Sequence, residues 1–355
     1  MKIKLIQILL FSSLVSFGQE TAGYNKAEAP NDFSYVAGGN SSLFVYVMPT
    51  TSFGYKKNKR QLDLVEVTYV KNQDNSLDFN FTKKRTDNSS FISSKNFKFG
   101  TYLLIIYTPG VSTGFSKILR NNSGTIFRSG YNNNNFQWSY KYFRGNINST
   151  IQPNFKYILP FKEGETVKPV DLSSVESVTF NSQLPKEWKS YSFSFDETQS
   201  VKAIRKGVVI DIENNFEIDT LKIVDYYSNH NSISVEHNDG TVANYKGFHK
   251  NKIIVKLGET VFPQTELGEL AKFNSKSLYR LYLSLYYYKT INGKNLNNIS
   301  TSDDYEILYL RPKFFQNGKA IELKNGNNYK VQFDEKTLYK EMRRKEIKKH
   351  KSNKL

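Results

Sequence analysis

Short runs dense in β-branched and aromatic side chains recur along this chain, and they constrain its fold class more than any other feature. Leu43-Phe44-Val45-Tyr46-Val47, Leu62 to Val70, Leu77-Asp78-Phe79-Asn80-Phe81, Tyr102 to Tyr107 and Phe136 to Phe143 are each of strand length, and Asn, Gly, Ser and Lys separate them. Such side chains suit a pleated, half-buried surface. The pattern predicts a mainly β protein, with an antiparallel, β-sandwich-like domain over 38–155. Asn132 to Asn135 predict an exposed turn. The alternation of polar and aromatic residues admits a glycan or protein platform, with cross-strand packing as the default.

A second block starts at Tyr157-Ile158-Leu159-Pro160-Phe161 and a strand-rich stretch from Tyr305 to Val331 follows it, so 156–332 form a second β domain. With 26 Phe, 24 Tyr and 2 Trp in 355 residues, both domains have apolar mass for a core. The end differs. Asp334 to Lys354 lacks Gly and Pro, and Leu338, Met342 and Ile347 fall near a helical period, which predicts one short basic helix or tail over 333–355. Docking and a solvated, frayed helix both fit that segment.

The N-terminus implies export. Met-Lys-Ile-Lys leads into an apolar run from Leu5 to Leu14 and then Ser16-Phe17-Gly18, the layout of a signal peptide over 1–18, cleaved before Gln19. A lead segment over 19–37 follows. The apolar run is too short for a transmembrane helix, and no later stretch reads as one. There is no cysteine, which excludes a disulfide framework, a thiolate zinc site, a catalytic thiol and a lipoprotein anchor. The expected location is the periplasm or the outer-membrane surface.

The net charge is +17, and residues 336–355 alone hold nine Lys or Arg against two Glu, a net +7. A basic excess can address nucleic acid, an anionic membrane or an anionic polymer. Export and concentration in one terminal segment argue against nucleic acid.

Residues 201–270 carry the most informative order. Ala203-Ile204-Arg205-Lys206-Gly207-Val208-Val209 leads to Ile233-Ser234-Val235-Glu236-His237-Asn238-Asp239-Gly240-Thr241-Val242-Ala243-Asn244-Tyr245, then to Val255 through Gly258 to Val261, and closes on Glu266-Leu267-Gly268-Glu269. Short strands joined by Lys-Gly, Asn-Asp-Gly and Leu-Gly-Glu turns are expected. This succession resembles the lysostaphin-type zinc metallopeptidases, a family of peptidoglycan endopeptidases. Tyr157 to Gly164 looks like the entry segment of exported multidomain members, and the resemblance spans 157–330.

The resemblance implies an antiparallel β peptidase-like domain and also says where zinc would sit. Such chemistry needs three protein ligands, one open position for water and a nearby His. No His precedes His230, so the first ligand is missing, and the implied Asp position falls at Ser192. The auxiliary His position falls at Gly247, with His249 displaced by two, and the final His-x-His pair aligns with Arg280-Leu281-Tyr282. Arg is always charged and a poor zinc ligand, and Tyr is rarely one. A relocated site would need His249, with Asp196 in place of the lost Asp. His237 is expected to pack, and Glu236 points away from it on an alternating strand.

No metal, no cofactor and no catalytic residue is therefore expected. No Gly-x-Ser-x-Gly elbow, phosphate loop, His-Glu-x-x-His or dinucleotide fingerprint is present. Arg280, Tyr282 and Tyr286 alternate on one strand and line either a vestigial groove with Tyr245 and His249, or a solvent face behind a core of Leu281, Leu283 and Leu285. Inactive relatives in the family act as regulators or adaptors at the cell wall. The expectation is thus a non-catalytic, exported pseudoenzyme, a scaffold or accessory subunit of an outer-membrane-associated envelope complex. Its partners would be envelope or outer-membrane proteins. The alternatives are a peptidoglycan- or glycan-binding module and an active zinc endopeptidase with an unconventional site.

Overall fold

The computed structural model describes residues 18–19, 42–50, 63–73, 76–84, 90–109, 114–118, 123–131, 139–145, 151–173, 189–217, 230–272, 278–290 and 305–352. The signal segment up to residue 17, the lead after Gln19 and the Asn132 to Asn135 turn lie outside them. The chain divides into two compact units, one drawn from Val15–Asn148 and Tyr288–Glu306, the other from Ser149–Tyr287 and Ile307–Leu355. Each is mainly β.

In the first unit the strands are β1 (Gly18–Gln19), β2 (Ser42–Thr50), β3 (Asp63–Lys71), β4 (Leu77–Lys84), β5 (Ser90–Phe97), β6 (Tyr102–Pro109), β7 (Gly114–Ile118), β8 (Ser123–Tyr131) and β9 (Ser139–Arg144). They form a four-stranded sheet in the order β5-β4-β3-β8 and a five-stranded sheet in the order β1-β9-β6-β2-β7. Pairing is antiparallel except between β2 and β6, which run parallel from Leu43↔Tyr102. Alternation decides which side chains turn inward: Val67 and Tyr69 on β3, and Leu77, Phe79 and Phe81 on β4, are all buried. Phe97 joins the two sheets, with its ring 4.9 Å from Tyr102 and 4.6 Å from Tyr142, both edge-on.

The second unit contains β10 (Lys156–Tyr157), β11 (Thr166–Val167), β12 (Pro169–Asp171), β13 (Tyr191–Phe195), β14 (Ser200–Lys202), β15 (Gly207–Glu213), β16 (Asn231–Glu236), β17 (Val242–Ile253), β18 (Thr260–Val261) and β19 (Glu266–Leu270). It continues with β20 (Tyr279–Thr290), β21 (Tyr305–Leu310), β22 (Lys313–Gln316), β23 (Lys319–Ile321) and β24 (Tyr329–Lys330). A large antiparallel sheet runs β12-β13-β20-β17-β16-β15-β18, with β21 on β20 and the β14–β19 pair attached through β17. β10 pairs with β22 in parallel.

One face of this sheet makes the core. Phe193, Leu281, Leu283, Leu285, Ala243, Tyr245, Ile233, Val235 and Val209 are at most 1% exposed, and Phe161 from the Tyr157 to Gly164 entry segment packs with them. Burying each such large side chain contributes about 1.5–3 kcal/mol. Gly207 must be small for a local reason: a Cβ there would lie 2.6 Å from the Glu236 carbonyl oxygen and 2.6 Å from Val235. The expected Leu267-Gly268 turn is instead part of β19, where Gly268 pairs with Val201 and Ile253.

The C-terminal segment is helical but broken. Glu335–Leu338 forms one turn capped by Asp334, whose Oδ1 accepts from the Thr337 N–H at 2.7 Å, and a second helix runs Arg344–Lys351. Glu346 reaches back to the Arg343 N–H at 2.6 Å and starts that second helix afresh, which is why the single expected helix is two. Leu338 and Met342 are buried. No helix among the described residues is long and apolar enough to cross a membrane.

Candidate functional site

The positions implied for zinc meet on the sheet face opposite the core. Ser192 on β13 is in register with Tyr282 on β20, and Tyr282 with Lys246 on β17. Cross-strand partners share a face, so Ser192, Tyr282 and Lys246 form one row. The next row pairs Ser194 with Arg280. The Arg280 Nε donates to Ser194 Oγ at 3.2 Å and its Nη1 donates to Tyr282 Oη at 3.3 Å. The His230 ring lies 5.3 Å from that of Tyr282.

This face is not a solvent platform. Ser192 is 4% exposed, Tyr282 9% and Tyr286 8%, while Ser194 is exposed. Leu281, Leu283 and Leu285 do pack the core, and of the residues between them Tyr282 is buried and Ser284 half-buried. The face therefore offers hydroxyl, phenol and guanidinium groups from a surface that is buried at Ser192, Tyr282 and Tyr286 and half-buried at Arg280.

Gly247, where the resemblance implies a histidine, has a local geometry of its own. It is the extra residue of a bulge between the Asn231↔Phe248 and Ser232↔Lys246 pairs, and its φ is +112°. A Cβ there would stand 2.1 Å from the Arg280 carbonyl oxygen. That is far inside van der Waals contact, so this backbone has no room for any side chain, histidine included.

Tyr245 and His249 do not join the face. Tyr245 is opposite Leu283 and points into the core, where its phenol oxygen accepts the Ile204 N–H at 3.0 Å. His249 is exposed, with Nδ1 2.6 Å from the Lys250 carbonyl oxygen. Asp196 is exposed beyond β13. Among the described residues no group of three or more His, Asp or Glu is arranged to hold a metal ion.

The strongest electrostatic feature lies elsewhere, in the turn between β14 and β15. Arg205 is 0% exposed. Its Nε and Nη2 donate to the two carboxylate oxygens of Glu341 at 2.9 and 2.6 Å, and Nη1 donates to Asp239 Oδ2 at 2.7 Å. The guanidinium carbon sits 3.8 Å from the centroid of the Phe155 ring. A planar fork matched to a carboxylate, stacked on an aromatic face, is the geometry arginine satisfies and lysine does not. Burial would lower the Arg205 pKa, but hydrogen bonding to Glu341 and the nearby carboxylate charges more than offset this, so the cation is held firmly.

Asp239 completes its own coordination locally. Oδ1 accepts from the Thr241 N–H at 3.1 Å and from its hydroxyl at 2.7 Å, an Asx-type turn across Gly240. Burial pushes its carboxyl up, and the Arg205 charge with hydrogen bonds from Arg205 and Thr241 outweighs burial, leaving it below the usual carboxylate range. His237 is fully buried with Nδ1 3.0 Å from the Lys206 carbonyl oxygen. A carbonyl only accepts, so Nδ1 carries a proton and donates. Burial, then the Arg205 charge, pushes its pKa down to about 3. Its Nε2 has no hydrogen-bond partner among the described residues. Burial raises the Tyr157 phenol to about 12.

Lys206 repeats the contact one residue on: its Nζ donates to Glu346 at 2.7 and 2.9 Å and to the Glu341 carbonyl oxygen at 3.2 Å. The basic pair Arg205-Lys206 thus receives Glu341 and Glu346, the two glutamates of the otherwise cationic stretch 336–355. Sequence reasoning passed over this cluster, because Arg205 and Lys206 are the variable positions of the Ala203 to Gly207 strand entry. The available signal was the isolation of Glu341 and Glu346 among nine cations.

No family model matches the chain, and no curated protein does. Among solved structures the chain is similar to a zinc-containing peptidase from Vibrio cholerae at 10% identity and a TM-score of 0.22, over 62% of this chain and 82% of that one. A TM-score of that size leaves the reading of the sheet to the residues themselves.

Proposed function

We propose that this chain is an exported, non-catalytic protein built on a peptidase-like β scaffold, acting as an accessory subunit of an outer-membrane-associated envelope complex. The observation that carries the reading is Gly247. Where the resemblance asks for a histidine beside zinc, the backbone excludes every side chain, and the partner positions hold Ser192, Arg280 and Tyr282. Hydroxyl, guanidinium and phenol groups do not make a three-ligand zinc site. Arg280 instead hydrogen-bonds Tyr282 and Ser194. Affinity purification from native membranes, with metal analysis of the product, tests the reading. Stable envelope partners and no stoichiometric zinc support it. About one zinc per chain, lost in His249→Ala, would overturn it in favour of an active endopeptidase.

The half-buried Arg280 guanidinium favours a second reading, a peptidoglycan- or glycan-binding module, because a guanidinium suits charge-assisted contacts. Sedimentation with insoluble sacculi separates the two. An accessory subunit stays in the supernatant, whereas a glycan module pellets and loses that property in Arg280→Ala.

A further inference from the structure

The docked C-terminal segment is sorted by charge. Each of its four carboxylates is engaged: Asp334 caps the first helical turn, Glu335 pairs with Lys351 at 2.9 Å, Glu341 holds Arg205 and Glu346 holds Lys206. The cations point the other way. Lys336, Arg344, Lys345, Lys348 and Lys349 are exposed and make no ion pair among the described residues. Arg344 and Lys348, and Lys345 and Lys349, are each one helical turn apart, so these four make a single stripe along the terminal helix.

We propose that this outward stripe binds the phosphate headgroups of an anionic lipid membrane. Four to eight Lys or Arg presented together are the footprint of anionic-lipid contact, each contributing a few-fold in partitioning. Among the described residues the segment has no exposed large apolar side chain; those described are Val70, Ile92, Val170 and Ile254, all elsewhere. A protein interface centred here would therefore lack the apolar or aromatic anchor such interfaces use. From Asp334 onward the described aromatic is Tyr339, and it is engaged by His350 and Lys351, so it is not free to stack on a nucleic-acid base. A flat, repeated, multivalent anion fits what remains. The glutamate contacts to Arg205 and Lys206 hold the stripe facing outward. This inference does not rest on the loss of catalysis, and vesicle binding reads it independently of zinc content.

The test is sedimentation of the full chain with vesicles of phosphatidylcholine alone, or of phosphatidylcholine with phosphatidylglycerol. The expected result is retention on the anionic vesicles only, lost at about 0.5 M salt as the charges are screened. The combined variant Arg344→Glu, Lys345→Glu, Lys348→Glu should weaken retention more than about tenfold. It should melt as the parent does, because all three side chains are exposed. Equal binding to both vesicle types, or undiminished binding by the variant, overturns the proposal. So does tighter retention on duplex DNA than on vesicles at equal phosphate.

Discussion

The Glu341 carboxylate grips the buried Arg205 guanidinium at two points, Nε at 2.9 Å and Nη2 at 2.6 Å, and so fastens the C-terminal segment to the turn that opens β15. Asp239 holds the third edge of the same group at 2.7 Å. The segment is part of the domain's own packing, because without Glu341 a buried cation would keep only one carboxylate.

Glu341→Gln should destabilise the second unit by about 2–4 kcal/mol, toward the lower end for breaking a buried pair because Glu341 keeps some solvent contact. Denaturant unfolding gives the magnitude. Limited proteolysis should show cleavage after Arg343 or Arg344 appearing in the variant first; equal protection in both proteins would refute the latch.

Acid should loosen the same region. The folded-state pKa of His237 lies below its unfolded value, so the unfolded chain binds the extra proton. The stability this contributes is whole above about pH 6.5 and is lost as pH falls toward about 3. Asp239, also lowered, adds a loss below the ordinary carboxylate range. Between pH 6 and 4 the stability of the parent should fall by up to about 1.4 kcal/mol per pH unit more steeply than that of His237→Phe. Parallel slopes would remove His237 as the cause.

Gly247→Ala should cost more than about 2 kcal/mol, from the left-handed φ and the collision with the Arg280 carbonyl together. Gly326→Ala is the control: its φ is +83° but a Cβ there meets nothing within 4 Å, so only the backbone penalty of about 1 kcal/mol remains. Equal melting temperatures for the two variants would mean that the close approach carries no energy.

Lys206 and Glu346 should couple more weakly than Arg205 and Glu341. Their side chains are 19% and 24% exposed, and a double-mutant cycle with alanine should return about 0.5–1 kcal/mol, decreasing with salt. A coupling as large as that at Arg205 would place this pair in a drier setting than its exposure indicates.

The strands of the first unit were legible because alternation is local: Val67, Tyr69, Leu77, Phe79 and Phe81 are apolar at every second position, and all five turn inward. Ser192, Arg280 and Tyr282 could be singled out from motif order, and the register brings them together. Tyr245 could not be assigned to a side. Its neighbours in sequence alternate in the same way whichever face is buried, and only the Tyr245↔Leu283 pairing turns it to the core. The break in the terminal helix was hidden for a related reason, since Glu346 is an ordinary helix residue until its carboxylate is seen on the Arg343 N–H and Lys206.

By itself the sequence determined the mainly β character, the cationic end and the absence of cysteine and of early histidine, because these follow from residue type and short-range spacing. Tertiary structure decided the rest. Whether Gly247 could be anything else depends on a carbonyl 33 residues away in sequence that lies 2.1 Å from where a Cβ would stand. Whether the tail is loose or docked depends on Arg205 meeting Glu341 across 136 residues. Close approach and the pairing of buried charge are properties of folded neighbours, and no local pattern encodes them.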